Sequence, residues 1–398
     1  MLAGGGAILL ATIPAFLGAG ALRDPTMSLH GMLGSALWTT LGPHFVLVSS
    51  IALGLALYCH RRAALGLALP ALILAGLAVV GSAWITWRII AATVEAGGRI
   101  APMQALFLRS MKADGPDEEV TVATVDGREL RAAIYRPRKI EADAPVILYI
   151  HGGGFMTGET TETDADLRWF ADQGWLVVSA DYRVFSEGAP TWDLAPADVA
   201  CAAAWLAEQA PRLGGDIRRL AILGDSAGGN LAINLAYAAA RGDHLTECGN
   251  MPIPAAVVVQ YPAVDPLAIH ADGFPVRGFQ PRMLVIGHIG GEPEAFPERI
   301  QAVRSDAFLH DHAPATLILS PDNDGLVPAW SVRRFAEQAR QAGVDVELVR
   351  LPFANHVYNQ IAANSLGNQA RRSITLRFLR ERGLSPSPPP EVNPERGG

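Results

Sequence analysis

Gly224-Asp225-Ser226-Ala227-Gly228-Gly229 directly follows the apolar run 220–223 and precedes a helical pattern. A G-x-S-x-G segment in that setting holds its serine on a sharp strand-to-helix turn. The small neighbours permit the turn, and the helix N-terminus beside the serine carries partial positive charge that favours an oxyanion. Upstream, His151-Gly152-Gly153-Gly154-Phe155 follows the run 146–150. Consecutive glycines let backbone N–H groups turn toward a carbonyl oxygen, so Gly153 and Gly154, together with the Ala227 N–H, are the candidate oxyanion donors. Removing one such donor typically costs about 3–4 kcal/mol of transition-state stabilisation. Together the two segments point to acyl transfer, and first to ester hydrolysis.

Serine is a poor nucleophile without a base in hydrogen-bond reach and an acid to orient that base. Both should leave strands at the sheet edge that carries Ser226. His356 follows the run 346–351 and is the candidate base. Ser320-Pro321-Asp322-Asn323-Asp324-Gly325 follows the run 316–319 and offers two carboxylates. Asp324 is preferred as the acid because it lies deeper in the loop, directly before Gly325-Leu326-Val327-Pro328; Asp322 is left to brace the turn. His310-Asp311-His312 invites a metal reading, but it precedes the strand 316–319 and so belongs at the opposite edge of the sheet. It is read as a solvated loop, and no metal site is expected.

The elements that must position these groups alternate. Val146-Ile147-Leu148-Tyr149-Ile150 is continuously apolar, as a strand buried on both faces requires, and the runs 175–180, 220–223, 255–259, 316–319 and 346–351 repeat the type. Helical patterns lie between them, at 196–210, 227–241, 329–342 and about 364–382. This alternation predicts an α/β fold with a doubly wound, mostly parallel sheet, whose ligands bind at the carboxyl ends of the strands. Before it, Asp126-Gly127 between the runs 120–125 and 129–135 predicts a hairpin. Pro102 is placed at the first turn of a helix through Leu108 in a bridge over 88–114. The tail 384–398 is proline-rich and is read as disordered.

Of the 71 charged residues, only Arg23, Asp24, Arg61 and Arg62 precede position 88. That contrast predicts an all-α transmembrane region over 1–87 with three spans, 2–22, 41–59 and 63–87, and a kink or break at Gly42-Pro43. The first span lacks the basic start of a cleaved leader and is read as an anchor. Trp84 and Trp87 suit an interfacial belt. Arg61-Arg62, in a short loop, should stay cytoplasmic, which puts the large domain outside; Arg88 and Arg99 argue the other way. The net charge of −7 and a pI near 5.8 give no reason to expect a nucleic-acid partner. Cys59, Cys201 and Cys248 show no C-x-x-C spacing; Cys201 and Cys248 could pair in an oxidising compartment but are read first as buried or free thiols.

The order Ser226, Asp324, His356 and the motifs around them resemble the hormone-sensitive-lipase-like branch of the α/β-hydrolase superfamily. The resemblance is carried by His151-Gly152-Gly153-Gly154-Phe155, Gly224-Asp225-Ser226-Ala227-Gly228-Gly229-Asn230, Asp324-Gly325-Leu326-Val327-Pro328 and His356-Val357-Tyr358, with Ser179-Ala180-Asp181-Tyr182-Arg183 between the first two. It covers roughly Glu118 to Arg382, within an expected catalytic domain over 115–383, and implies a serine carboxylesterase or lipase that needs no cofactor. It also implies Ser226, Asp324 and His356 as triad, and Gly153, Gly154 and Ala227 as oxyanion hole. His151 then braces the glycine loop, because the base of such a triad comes last in the chain. The expected partners are a small-molecule or lipid ester and the bilayer. Val184-Phe185-Ser186-Glu187 replaces the branch's usual Leu-Ala-Pro-Glu, and Pro328 stands where a second aspartate is usual, so the resemblance carries chemistry rather than substrate. The same parts serve an amidase, a peptidase or a polysaccharide deacetylase, and a receptor or scaffold can keep the fold without turnover.

Overall fold

The computed structural model describes residues 2–23, 28–62, 65–138, 143–243, 245–275 and 280–386. Four helices come first: α1 (Leu2–Ala21), α2 (Leu29–Ala36), α3 (Trp38–Arg61) and α4 (Leu65–Glu95). The antiparallel hairpin β1 (Glu118–Val125) and β2 (Arg128–Tyr135) turns at Asp126-Gly127. Alternation follows: β3 (Ala144–Ile150), α5 (Asp164–Asp172), β4 (Leu176–Ala180), α6 (Leu194–Gln209), β5 (Gly215–Asp225), α7 (Ala227–Arg241) and β6 (Ala256–Gln260). Three short helices, α8 (Pro266–Asp272), α9 (Pro281–Ile289) and α10 (Pro297–Val303), then interrupt it. The chain returns to the sheet with β7 (Ala315–Pro321), α11 (Ala329–Gln341), β8 (Val346–Leu351) and α12 (Leu366–Glu381).

The eight strands form one sheet in the order β1-β2-β4-β3-β5-β6-β7-β8, parallel from β4 to β8. The expected doubly wound sheet is borne out. β3 and β6 are buried end to end, and β5 from Leu220 onward, because helices cover both faces. One face packs α6, α7 and α11, and the other packs α5 and α12. This arrangement leaves the carboxyl edge of β3, β5, β7 and β8 free to carry loops.

The helices α1, α3 and α4 pack on one another through small side chains, among them Ala11, Ala52, Ala56, Ala71 and Ala75. Their outer faces present Ile13, Phe16, Leu47, Ile51, Ile73, Leu77 and Trp87. Two of the helices, α3 and α4, are long and apolar enough to cross a membrane by length and composition; α1 offers the shorter apolar stretch Gly5–Ala21. Of the expected kink or break at Gly42-Pro43, the break is corrected: α3 runs through Pro43, and the boundary between α2 and α3 lies at Leu37. Pro43 is the sixth residue of α3, so its missing N–H costs the helix one bond, the one that would reach the Thr39 carbonyl.

The bridge also differs from expectation. α4 continues to Glu95, and the helix from Pro102 is only a 3-10 turn at Gln104–Leu106. Asn364 competes for this backbone: its amide donates to the carbonyls of Gln104 and Phe107 and accepts from the Arg109 N–H at 2.8 Å. The proline-rich tail lies outside the described residues from 387 onward.

Cys201 on α6 and Cys248 form a disulfide, with Cα atoms 5.1 Å apart, so the pairing alternative holds in place of two thiols. Forty-seven positions of chain separate them, a distance that sequence patterning does not register. Replacing both with alanine should cost about 2–4 kcal/mol, read as a lowered Tm by calorimetry. Alkylation of the denatured, unreduced protein should modify Cys59 alone.

Candidate active site

Ser226 sits between β5 and α7 with φ 55° and ψ −116°, a backbone conformation that side chains rarely adopt. Close approach of the flanking chain enforces it. A Cβ on Gly228 would lie 2.2 Å from the carbonyl oxygens of both Ile150 and His151, so the helix can begin there only with glycine. The Ser226 N–H donates to the Gln260 carbonyl at 2.9 Å, and its own carbonyl accepts from Ala263 at 3.0 Å. The turn is thereby pinned to β6 and to the loop after it.

The structure brings Ser226, Asp324 and His356 together. His356 Nε2 lies 3.0 Å from Ser226 Oγ, and His356 Nδ1 lies 2.8 Å from Asp324 Oδ2. A carboxylate only accepts, so Nδ1 carries the hydrogen and Nε2 is left free to take one from the hydroxyl. Asp324 is buried, and its other oxygen accepts from the N–H groups of Leu326 and Val327, both at 2.9 Å. The carboxylate is held on three sides and cannot swing from the imidazole. Tyr261 stands against the imidazole with ring centroids 4.4 Å apart. Asp322 is turned away and pairs with Arg350 at 2.7 Å.

Gly153 has φ +101°, and a Cβ there would strike the Thr157 carbonyl. Among the described residues, the N–H groups of Gly153, Gly154 and Ala227 have no protein acceptor, so they remain available beside Ser226. His151 lies beneath the loop, fully buried, stacked on Tyr182 at 4.3 Å and bonded through Nδ1 to the Gly152 carbonyl. Tyr182 in turn donates to the His151 and Gly152 carbonyls at 3.0 and 2.9 Å. His310, of the histidine pair set aside above, bonds the Tyr237 carbonyl at 2.9 Å.

Asn355 escaped the sequence reading. Its Oδ1 accepts from the Gly325 N–H at 3.1 Å and the His356 N–H at 2.7 Å, which ties the acid loop to the base loop. Its amide donates to Ser35 Oγ on α2 at 2.6 Å. Nearby, Thr39 on α3 donates to the Tyr358 carbonyl at 3.0 Å, and Trp84 on α4 meets Phe353 edge-on at 5.3 Å. The loop that carries His356 is therefore seated on the N-terminal helices. The position of Asn355 next to His356 was the available signal; Ser35, 320 positions away, gave none.

A model of the family described as BD-FAE matches residues 132–338, just over half of the chain. The chain belongs to the BD-FAE family. The matched stretch holds the glycine loop, Ser226 and Asp324, and ends before His356. Among curated proteins, it is similar to an ethyl acetate hydrolase of Pseudomonas putida, 35% identical over 43% of this chain and 58% of that protein. It is also similar to Lipase 2 of a Moraxella species, 27% identical over 63% of this chain and 65% of that one. The chain thus spans less than two thirds of the length of either relative. Among solved structures, Thermogutta terrifontis esterase 2 phosphonylated by sarin superposes with a TM-score of 0.59 at 24% identity, covering 69% of this chain and 99% of that one. The α/β-hydrolase fold implied by the motifs is borne out by this superposition.

Two predictions follow from this geometry. Ser35→Ala and Asn355→Ala should each lower kcat more than they raise KM, with Asn355→Ala the larger effect, about tenfold or more, since a misplaced base costs rate rather than binding. Stopped assays across pH 6–9 should show the profile of the variants shifted, which a purely structural defect would not produce. His288 on α9 is buried against Phe155, with ring centroids 3.8 Å apart, and burial pushes its pKa down to about 3. The folded state then keeps His288 neutral where the unfolded chain protonates it, so stability falls as pH drops below about 6.5, by up to about 1.4 kcal/mol per unit. Thermal unfolding of His288→Gln between pH 7 and 5 should show a flatter decline than wild type.

Proposed function

We propose that this protein is a membrane-anchored serine hydrolase that cleaves carboxylic esters through an acyl-enzyme. The observation that carries the reading is the relay Asp324–His356–Ser226 at hydrogen-bond distances, beside three N–H groups without acceptors. Ser226 Oγ attacks the ester carbonyl while His356 Nε2 takes its proton. Gly153, Gly154 and Ala227 donate to the oxyanion, and His356 returns the proton to the departing alcohol oxygen. Water, activated by the same imidazole, then releases the acid and restores Ser226. Asp324 holds the imidazole in the required tautomer and offsets its transient charge. The names of the Pseudomonas and Moraxella relatives, an ethyl acetate hydrolase and a lipase, agree with this chemistry.

Membrane anchoring rests on the two long apolar helices and on the large apolar side chains that face outward from the bundle. α3 starts at the hydrolase domain and carries Arg61-Arg62 ~35 Å away at its far end. A cytoplasmic Arg61-Arg62 loop leaves the hydrolase domain on the other side, and the disulfide suits an oxidising compartment.

Ser226→Ala should reduce hydrolysis of p-nitrophenyl acetate by about 10⁴-fold or more, and adding His356→Ala to it should cost little further, because the two act as a unit. A fluorophosphonate probe should label wild type at Ser226 and leave the Ser226→Ala variant unlabelled, as read by peptide mass. Retention of hydrolysis in Ser226→Ala would end this reading.

A further inference from the structure

Two cavities meet at Ser226, and they differ in size and in what encloses them. The first lies beyond the oxyanion donors and is closed by Phe155, Ile269, Leu284, Val285 and Val303. Its room for the centre of a water-sized sphere is about 30 Å³. One water needs about 10–15 Å³ on that measure, so the space takes two or three heavy atoms. Its walls are fixed: Asn230 at its rim bonds the Val303 carbonyl at 2.8 Å and Ser305 at 3.1 Å. The second is a cleft of about 310 Å³ that includes His356. It is lined by Met32 and Ala36 of α2 and by Glu162, Tyr261, Val357 and Gln360.

The chemistry decides which end of an ester enters which space. The leaving oxygen must receive its proton from His356 Nε2, so the alcohol lies on the His356 side. The acyl group then points into the cavity that lacks His356. We infer that the substrate is an ester of a short acyl group, at most three or four carbons long counting the carbonyl, with an amphiphilic alcohol. This inference rests on the function proposed above. The polar, hydroxyl-bearing part of the alcohol lies against Glu162 and Gln360, and its hydrocarbon lies along α2 toward the apolar helices. In the reaction the Ser226 Oγ–acyl carbon bond forms and the acyl carbon–alcohol oxygen bond breaks. The serine proton leaves on the alcohol, and water then releases a short carboxylic acid. α2 is thus a specificity element of the site as well as part of the helical region.

The test uses the full chain in phosphatidylcholine nanodiscs and two esters that carry the same hydrocarbon on opposite sides of the bond: 6-O-acetyl dodecyl glucoside and 6-O-dodecanoyl methyl glucoside. The expected result is a kcat/KM at least 100-fold higher for the acetyl ester. Leu284→Ala, which opens the small cavity, should raise kcat/KM for the dodecanoyl ester at least tenfold. Met32→Gln should raise KM for acetyl dodecyl glucoside at least fivefold more than for p-nitrophenyl acetate. Equal or reversed rates on the pair, while p-nitrophenyl acetate is still cleaved at Ser226, would overturn the inference and leave the esterase reading standing. Failure to cleave p-nitrophenyl acetate, with Ser226 unlabelled by the fluorophosphonate probe, would overturn both.

Discussion

The site depends on one crowded point, where the start of α7 passes against the end of β3. Gly228 has no room for a side chain beneath the Ile150 and His151 carbonyls, and this contact forces the chain into the positive φ at Ser226. A residue so held costs of order 1–3 kcal/mol and persists only when its surroundings over-determine it. Here β3 and β6 do so, the first by contact and the second through the Gln260 carbonyl. The same crowding sets the glycine loop next to the serine, since His151 and Gly152 directly continue the strand that α7 touches. Nucleophile and oxyanion donors are thus placed by one packing event.

Beneath this turn lies a second constraint, a buried charge network. Arg371 of α12 pairs with Asp166 of α5 and lies 3.8 Å from Asp225, the residue before the nucleophile. Burial opposes its charge, but the two carboxylates outweigh that and hold its pKa above the ordinary guanidinium range. Tyr149 and Gln260 also donate to Asp225, at 3.1 and 2.7 Å. Such networks add little net stability compared with apolar packing, yet loss of one member leaves a charge stranded. Their effect here is geometric: α5, α12, β3, β5 and β6 are all fixed relative to the residue that precedes Ser226.

Motif and alternation made the central sheet and the three groups at its edge legible in the sequence. The turn at Ser226 needs small residues at fixed offsets, and buried parallel strands need unbroken apolar runs; both leave local marks. The choice of Asp324 over Asp322 rested on loop depth, and the structure gives the physical reason, since Arg350 engages Asp322. What the sequence hid was non-local. The 3-10 turn at Gln104 forms because a side chain 260 positions later satisfies its carbonyl. The Cys201–Cys248 bond and the Ser35–Asn355 contact likewise join segments with no shared pattern. The small helices α8 to α10, which shape the cavity beside Ser226, carry too little periodicity to be read as elements.

The contact between Ser35 and Asn355 has a bearing on how the molecule is made. The two residues stand near opposite ends of the chain, and a contact of that span closes late, because the entropy of so large a loop must be overcome first. The base loop therefore has no seat until the N-terminal helices have been laid down and the last strand has joined the sheet. During synthesis the nucleophile and its glycine loop exist well before their imidazole is aligned. A chain cut between α4 and β1 would keep the sheet and all three reactive side chains, but His356 would rest on a surface that had lost its other half.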